Sequence, residues 1–583
     1  MPVGPPPGPL TAFVVGPNAA QAWGAPVRAR AAIVGPGLRE VLELPDAVQL
    51  AARYEAASGV GVGHGGTGHA VAPPRWVWWA AETAAHLLVD AGVRPARAWD
   101  VAEAHRLLFG GWDAGPGLAW AGAHGLPVDT VPGPPRDDLF AVAGADRHAA
   151  DDALTPVQSD GHLRSDAAAG TWPTTDARLL RWADTLRECA AAQRGLAART
   201  WPRLVDTIHA ESAAAVLCEE LRHDGLPIDR AALIELVTPM SGPREERDAA
   251  VLGHVPGREH TDLRNPLQVR ELLRAVGIDV PTTRKHVLEA YREVHPVVAA
   301  LLAWRAEERI ATTYGLRWIG THIGPDDRLR GRWTACDGAG GRMTAEAGLH
   351  NLPAALRGGV AAHEGHVFVR ADLGQIEPRV LAVVSGDAAF SQASNAEDLY
   401  APVAARLGVD RAVAKVAVLA AMYGQRSGVA GQALRGLERA YPVAMAHLDR
   451  AYLSGTRGEP LRTYGGRLIP TAMVLATAPI GSDPALDAAR GRFARNAIVQ
   501  GAAAELFKAW AATVRATTRH LGAQIVLCLH DELLVHAPAE QADEVAAAVQ
   551  SALVDAARRW SGGAPVRFVA DISVVRRWSD ATV

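Results

Sequence analysis

Three short apolar runs, each meeting a carboxylate, constrain this chain more than any other feature. HVFVRAD ends on Asp372 and gives way to helical spacing in QIEPRVLAVVSGD, while AQIVLCL and ELLVHAP flank His530-Asp531-Glu532. Apolar runs of this length predict strands, and two of them so close together predict an antiparallel hairpin with acidic residues at its bend. A sheet that set the hairpin beside the first strand would gather carboxylates at one place. Two hard cations about 4 Å apart, held by such oxygens, can neutralise a triphosphate and keep attacking and leaving oxygens in line. An aspartate at a strand end is, by itself, more often a cap or a turn residue. Its surroundings have to decide.

A chain of 583 residues exceeds one hydrophobic core, so two to four domains are expected. A hydrophobic content of 49% and a charged content of 21% are those of an ordinary globular protein, and a net charge of −4 argues neither for nor against a nucleic-acid partner. Cys189, Cys218, Cys336 and Cys528 lie far apart without zinc-site spacing, which fits a reducing cytosol. No basic segment followed by an apolar run opens the sequence, and no run of 18 apolar residues occurs, so neither a signal peptide nor a membrane span is expected.

Between the acidic segments lies RAVAKVAVLAAMYGQRSG. Arg411, Lys415, Leu419 and Tyr423 recur every fourth residue, which on a helix makes one slowly drifting stripe. That stripe can offer two cations to a triphosphate and a ring to a base. A solvated amphipathic face is the commoner reason for such spacing. The composition favours the first reading: the chain has only three lysines, Lys285, Lys415 and Lys508, among 59 basic residues. Where arginine serves nearly everywhere, a retained compact ammonium has a reason.

DLGQIEPRVLAVVSGD resembles the first catalytic motif of the family A DNA polymerases, with Asp372, Gln375, Ile376, Glu377 and Arg379 in register, and LHDE resembles the last. The stripe of Arg411 to Tyr423 is similar to the family's nucleotide-binding helix. GGRMTAEAGLHNLP and RFARNAIVQGAAAELFK resemble its duplex-contacting segments, and YGGRLIP is similar, more loosely, to another. The resemblance runs from about residue 205 to the C-terminus. It implies Asp372 and Asp531 as ligands of two Mg²⁺ ions, with Mn²⁺ able to substitute, and Glu532 as a third catalytic carboxylate. It implies Arg411 and Lys415 on the triphosphate, Tyr423 beside the nascent pair, Glu377 against the sugar, and Gln375 and Leu419 among the other nucleotide-binding residues. Arg342, Asn351, Arg492, Asn496, Gln500 and His530 would contact DNA; Lys508 falls on the motif's own lysine. Two departures stand out: Leu419 occupies the place of a ring that packs on the sugar, and Tyr400 that of a phosphate-contacting histidine.

The fold so implied is a multidomain α/β chain: a right-hand polymerase preceded by a small RNase H-like α/β domain. The expected boundaries are a degenerate 3′–5′ exonuclease-like domain over 1–127, a linker over 128–175 and a connecting helix over 176–204. The polymerase domain would occupy 205–583, with palm 205–230, 330–395 and 485–583, thumb 231–329 and fingers 396–484. No aspartate before residue 207 has a glutamate two positions on, and Trp182-Ala183-Asp184 is a poor version of the last exonuclease motif, so proofreading is expected to be absent. A 5′-nuclease domain is likewise not expected. The expected partners are primer–template DNA and dNTPs, for a cytoplasmic, nucleoid-associated monomer in replication or repair. The alternatives are a catalytically weakened DNA-binding accessory and a polymerase retaining exonuclease activity.

Overall fold

The computed structural model describes residues 10–17, 29–59, 74–133, 154–337, 340–424, 429–474 and 476–581. They divide into two compact units. The first comprises residues 1–223, 333–344 and 369–573, the second 224–332, 345–368 and 574–583. No helix among the described residues is long and apolar enough to cross a membrane.

The first unit contains a five-stranded and a four-stranded sheet. Near the N-terminus, β1 (Leu10–Val15), β2 (Arg30–Gly35), β3 (Leu38–Glu43), β4 (Arg75–Trp78) and β5 (Ala98–Asp100) run in the spatial order β3-β2-β1-β4-β5. β1 pairs antiparallel with β2 and parallel with β4, and β4 continues in parallel to β5. The parallel steps need crossovers, and α1 (Leu44–Gly59), α2 (Ala81–Asp90) and α3 (Val101–Phe109) lie along this part of the chain. Trp76, Trp78 and Trp99 are fully buried in the sheet. Asp100 holds the end of β5. It caps α3 by accepting Glu103 N at 2.9 Å and takes Ala81 N at 2.7 Å and the Trp78 indole at 3.2 Å.

Of the segment expected as a linker, residues 134–153 lie outside the described residues. Residues 154–175 are packed: Leu163, Ala167 and Trp172 join the core beneath α5 (Asp176–Thr200), alongside Trp182 and Leu186. A Pro/Gly/Asp-rich composition hid three well-placed apolar residues. Thr175 then caps α5 at Arg178 N.

The second sheet carries the carboxylates. β6 (His366–Gly374), β7 (Gln524–Leu529), β8 (Glu532–Pro538) and β9 (Val569–Val575) lie in the order β7-β8-β6-β9. β7 and β8 form the expected antiparallel hairpin, closing at the pair Leu529–Glu532. β6 runs past Asp372 to Gly374, because Leu373 N still donates to Asp531 O at 2.9 Å. α7 (Ile376–Ser385) follows at once.

The stretch from 388 onward is helix-rich. It includes α8 (Ala388–Ala393), α9 (Tyr400–Leu407), α10 (Arg411–Tyr423), α11 (Val429–Ala440) and α12 (Pro442–Thr456). Gly424 ends α10 in a left-handed conformation. The long α13 (Pro484–Thr518, 35 residues) starts with Asp483 as its cap and Pro484 in the first turn. It passes α12 so closely that a Cβ on Gly455 would lie 2.5 Å from Ala494 Cβ. α14 (Ala542–Ser561) also belongs to this unit.

The second unit is mainly helical, with Arg230–Val237, Arg244–Leu252, Pro266–Ala275, Pro296–Thr313 and Leu316–His322. Its core gathers Leu263, Leu272, Leu273, Val297, Leu301 and Trp304. Asn351 lies in this unit on an exposed single-turn helix, and its carbonyl accepts the Tyr314 hydroxyl at 2.8 Å.

Candidate active site

At the bend of the β7–β8 hairpin the chain turns on two residues. His530 adopts φ +55, uncommon for a non-glycine residue, and Asp531 follows it. On the neighbouring strand, Gln375 takes φ +58 just beyond Asp372 and forms the N-terminal boundary of α7. Two left-handed residues thus sit beside the two aspartates. Such conformations persist where the surrounding contacts fix them, and Gln375 is well fixed. Its amide oxygen accepts Leu399 N at 2.8 Å and Arg379 Nη2 at 3.3 Å, and its amide nitrogen donates to Asp398 at 2.8 Å.

Arg379, matched from sequence as part of the motif, is wholly buried. Its guanidinium donates to the carbonyls of Gly374, Ser394, Ala396, Glu397 and Arg567. It organises backbone around the site.

Asp372 and Asp531 are both partly buried. Burial, then the charge of Asp531, push the Asp372 carboxyl up to about 6, against the opposing pull of Arg370. Burial also raises Asp531. Arg370 stands outside the residues that the motifs imply. Its guanidinium donates to Asp372 Oδ2 at 2.7 Å, to Glu532 Oε1 at 2.7 Å and to Asp571 Oδ2 at 3.3 Å. The available signal was an arginine inside the apolar run HVFVRAD, two residues before Asp372 and therefore on the same strand face.

A cleft of about 360 Å³ opens beside this sheet. Its walls include Arg342, Gln375, Glu377, Tyr400, Lys415, Leu419, Tyr423, Gln500, His530 and Asp531. Glu377 accepts Arg342 Nη2 at 3.0 Å and the Tyr423 hydroxyl at 3.3 Å. Gln500, with its amide oriented to match donors with acceptors, takes the Arg342 guanidinium at 2.5 and 3.2 Å. Lys415 is exposed on the cleft wall, and Leu419 lies one turn further along α10. Tyr400 is buried; burial first, then the charge of Glu377, push its phenol up to about 12.

Several expected residues stand elsewhere. Arg411 is exposed and pairs with Asp398 at 2.6 Å, and it does not line the cleft. Glu532 is buried against Arg370 and does not line it either. Arg492 is exposed and Asn496 partly so on α13, but of the three residues on that spacing only Gln500 borders the cleft.

Lys508, which falls on the motif's own lysine, is buried on Glu211, which Arg467 also holds at 2.8 Å. The same knot includes Glu103 and Cys336, which with Glu211 form a grouping of potential metal ligands. Two cations already fill its centre, so it is an internal ion network.

The arrangement can do definite chemistry. Asp531 borders a cleft with a lysine on its wall, while Asp372, whose proton affinity Asp531 raises, stands off that wall; together they can hold cations beside an anionic substrate. The sequence profile of DNA polymerase family A matches residues 259–580. The thermostable DNA polymerase I of Thermus aquaticus is 27% identical over 411 residues, covering 63% of this chain and 48% of that protein. That of Thermus thermophilus is 31% identical over 295 residues, covering 46% and 35%. DNA polymerase theta of Caenorhabditis elegans is 27% identical over 275 residues, 44% of this chain and 16% of that one. The chain spans less than half the length of these relatives. Among solved structures, the POL domain of Pol1 from M. smegmatis, in complex with DNA primer-template and dNTP, shares the fold. Its TM-score is 0.65 at 20% identity, with 98% of this chain and 95% of that one covered. With its profile matched across more than half its length, this chain belongs to the family A DNA polymerases.

Proposed function

We propose that the chain is a template-directed DNA polymerase that adds dNTPs to a primer 3′ end. The observation that carries this reading is the cleft itself, where Asp531, Glu377, Arg342, Lys415, Tyr423 and Gln500 converge from five separate segments of the sequence.

The residues suit divalent cations. Asp372 keeps Oδ1 clear of its arginine partner, and among the described residues no ion pair engages Asp531. Asp372 and Asp531 would hold the metal, Mg²⁺ in the first instance. When bound, such ions lower the pKa of the attacking hydroxyl and neutralise charge on the α-phosphate and the leaving pyrophosphate. Lys415 binds the triphosphate as a point charge, and Tyr423 borders the nascent pair. Glu377, fixed from two sides, fills the space a 2′-hydroxyl would need. Arg342 and Gln500 follow the duplex, reading shape rather than base identity. Arg411 and Glu532 act at one remove, through Asp398 and Arg370.

The N-terminal sheet supports a domain without proofreading activity. β1 (LTAFVV) carries no carboxylate, Asp100 is committed to three donors, and Asp184 pairs with Arg39 at 2.9 Å. Primer extension by the purified chain tests the whole reading, with 3′-end degradation followed in the same tube. Magnesium-dependent, template-directed incorporation that disappears in Asp531→Ala is expected. Binding of primer–template without incorporation would instead favour the accessory reading, and degradation by an Asp372/Asp531 double mutant would establish a living exonuclease.

A further inference from the structure

We propose that Arg370 is a built-in counter-ion of the carboxylate site, a positioning residue that orients Asp372 and keeps divalent-metal affinity low. The inference rests on the polymerase reading for its consequences, but its foundation is geometric. β6 lies between β8 and β9, so a long side chain on its face can reach acids on both neighbours. Arg370 does so, with one nitrogen for each of Glu532 on β8, Asp571 on β9 and Asp372 on its own strand. Its side chain is 5% exposed and that of Glu532 7%, while Asp372 is 34% exposed. The guanidinium is therefore anchored on the buried acid and presented to the half-open one.

Two effects follow. The bond to Oδ2 fixes the Asp372 carboxylate plane and leaves Oδ1 to a metal. A planar fork does this in a way a point charge cannot. At the same time a fixed positive charge on a metal ligand opposes cation binding. A unit charge a few ångströms away, at the effective dielectric of a partly exposed site, changes affinity by about tenfold or more. Arg370 thus supplies geometry at the expense of metal affinity.

The test measures Mn²⁺ binding to the DNA-free full chain by electron paramagnetic resonance, beside incorporation kinetics. Arg370→Met should bind Mn²⁺ about tenfold more tightly and turn over about tenfold more slowly. Arg370→Lys should return Mn²⁺ affinity to within about twofold of the parent, since it restores the charge, but leave turnover reduced, since it lacks the fork. Arg370→Gln, which keeps hydrogen bonds to the buried acid, serves if the Met variant does not fold. Neutral variants that bind Mn²⁺ no more tightly than the parent overturn the proposal. Were no form to incorporate nucleotides while the order of Mn²⁺ affinities held, the polymerase reading would fail and the role of Arg370 would stand.

Discussion

Arg342 and Glu377 are joined by an ion pair of 3.0 Å at the wall of the cleft, and the Tyr423 hydroxyl takes the other Glu377 oxygen at 3.3 Å. Both oxygens are held, which on the proposed reading keeps the side chain in the space that a 2′-hydroxyl would need. Glu377→Ala should therefore raise ribonucleotide incorporation relative to deoxynucleotide by roughly 100-fold. Single-nucleotide incorporation rates with matched dNTP and rNTP measure it. An unchanged ratio would remove Glu377 from sugar selection.

The two cations of α10 are unequal. Lys415 lines the cleft, whereas Arg411 is engaged by Asp398, which also binds Gln375. Loss of a charge-assisted contact costs about 1.5–3 kcal/mol, so Lys415→Ala should raise the KM for dNTP at least tenfold. Arg411→Ala should raise it less than about threefold. A larger effect at Arg411 would mean that its pair with Asp398 opens when nucleotide binds.

The carboxylate site was legible because strand and hairpin signals are local: apolar runs, a bend and a switch to helical spacing lie within a few residues of Asp372 and Asp531. Partnerships across the chain were not. The spacing on α13 is the same whether Lys508 faces DNA or a buried acid, and Glu211 is too distant in sequence to be seen beside it. Arg370 fell inside a run read only for its apolar content. Nothing around Asp398, two residues before the departure at Tyr400, signals that it captures Arg411. Residues 154–175 were judged by composition, which does not register where Leu163 and Trp172 point.

Glu211 supports the heart of the first unit. It is 1% exposed and faces Lys508 and Arg467. Burial alone would raise its carboxyl, but the two cations outweigh that and hold it below the ordinary value. Glu211→Ala leaves two buried cations short of charge and should destabilise the unit by about 3–5 kcal/mol. Urea unfolding followed by tryptophan fluorescence reads this. A loss under about 1 kcal/mol would mean that Glu505 and Glu103 take over the neutralisation.

His447, on α12, bears on acid stability. Burial, aided by Arg450, lowers its pKa to about 4, and its Nε2 is buried without a partner among the described residues. Between about pH 6.5 and 4 the unfolded chain takes up a proton that the folded chain refuses. The stability this group confers is thus complete above pH 6.5 and is lost as the pH falls towards 4. Asp100 works the other way: burial, then Glu103, raise it to about 7, so its proton favours the folded chain as the pH drops. The parent alone therefore gives only a sum. Comparison with His447→Gln isolates one contribution, because the variant lacks the titrating ring and keeps Asp100. Relative to the parent, the variant should gain up to about 2 kcal/mol between pH 7.5 and 5 in chemical denaturation. A difference that stays constant over that range would show that the His447 ring accepts its proton in place.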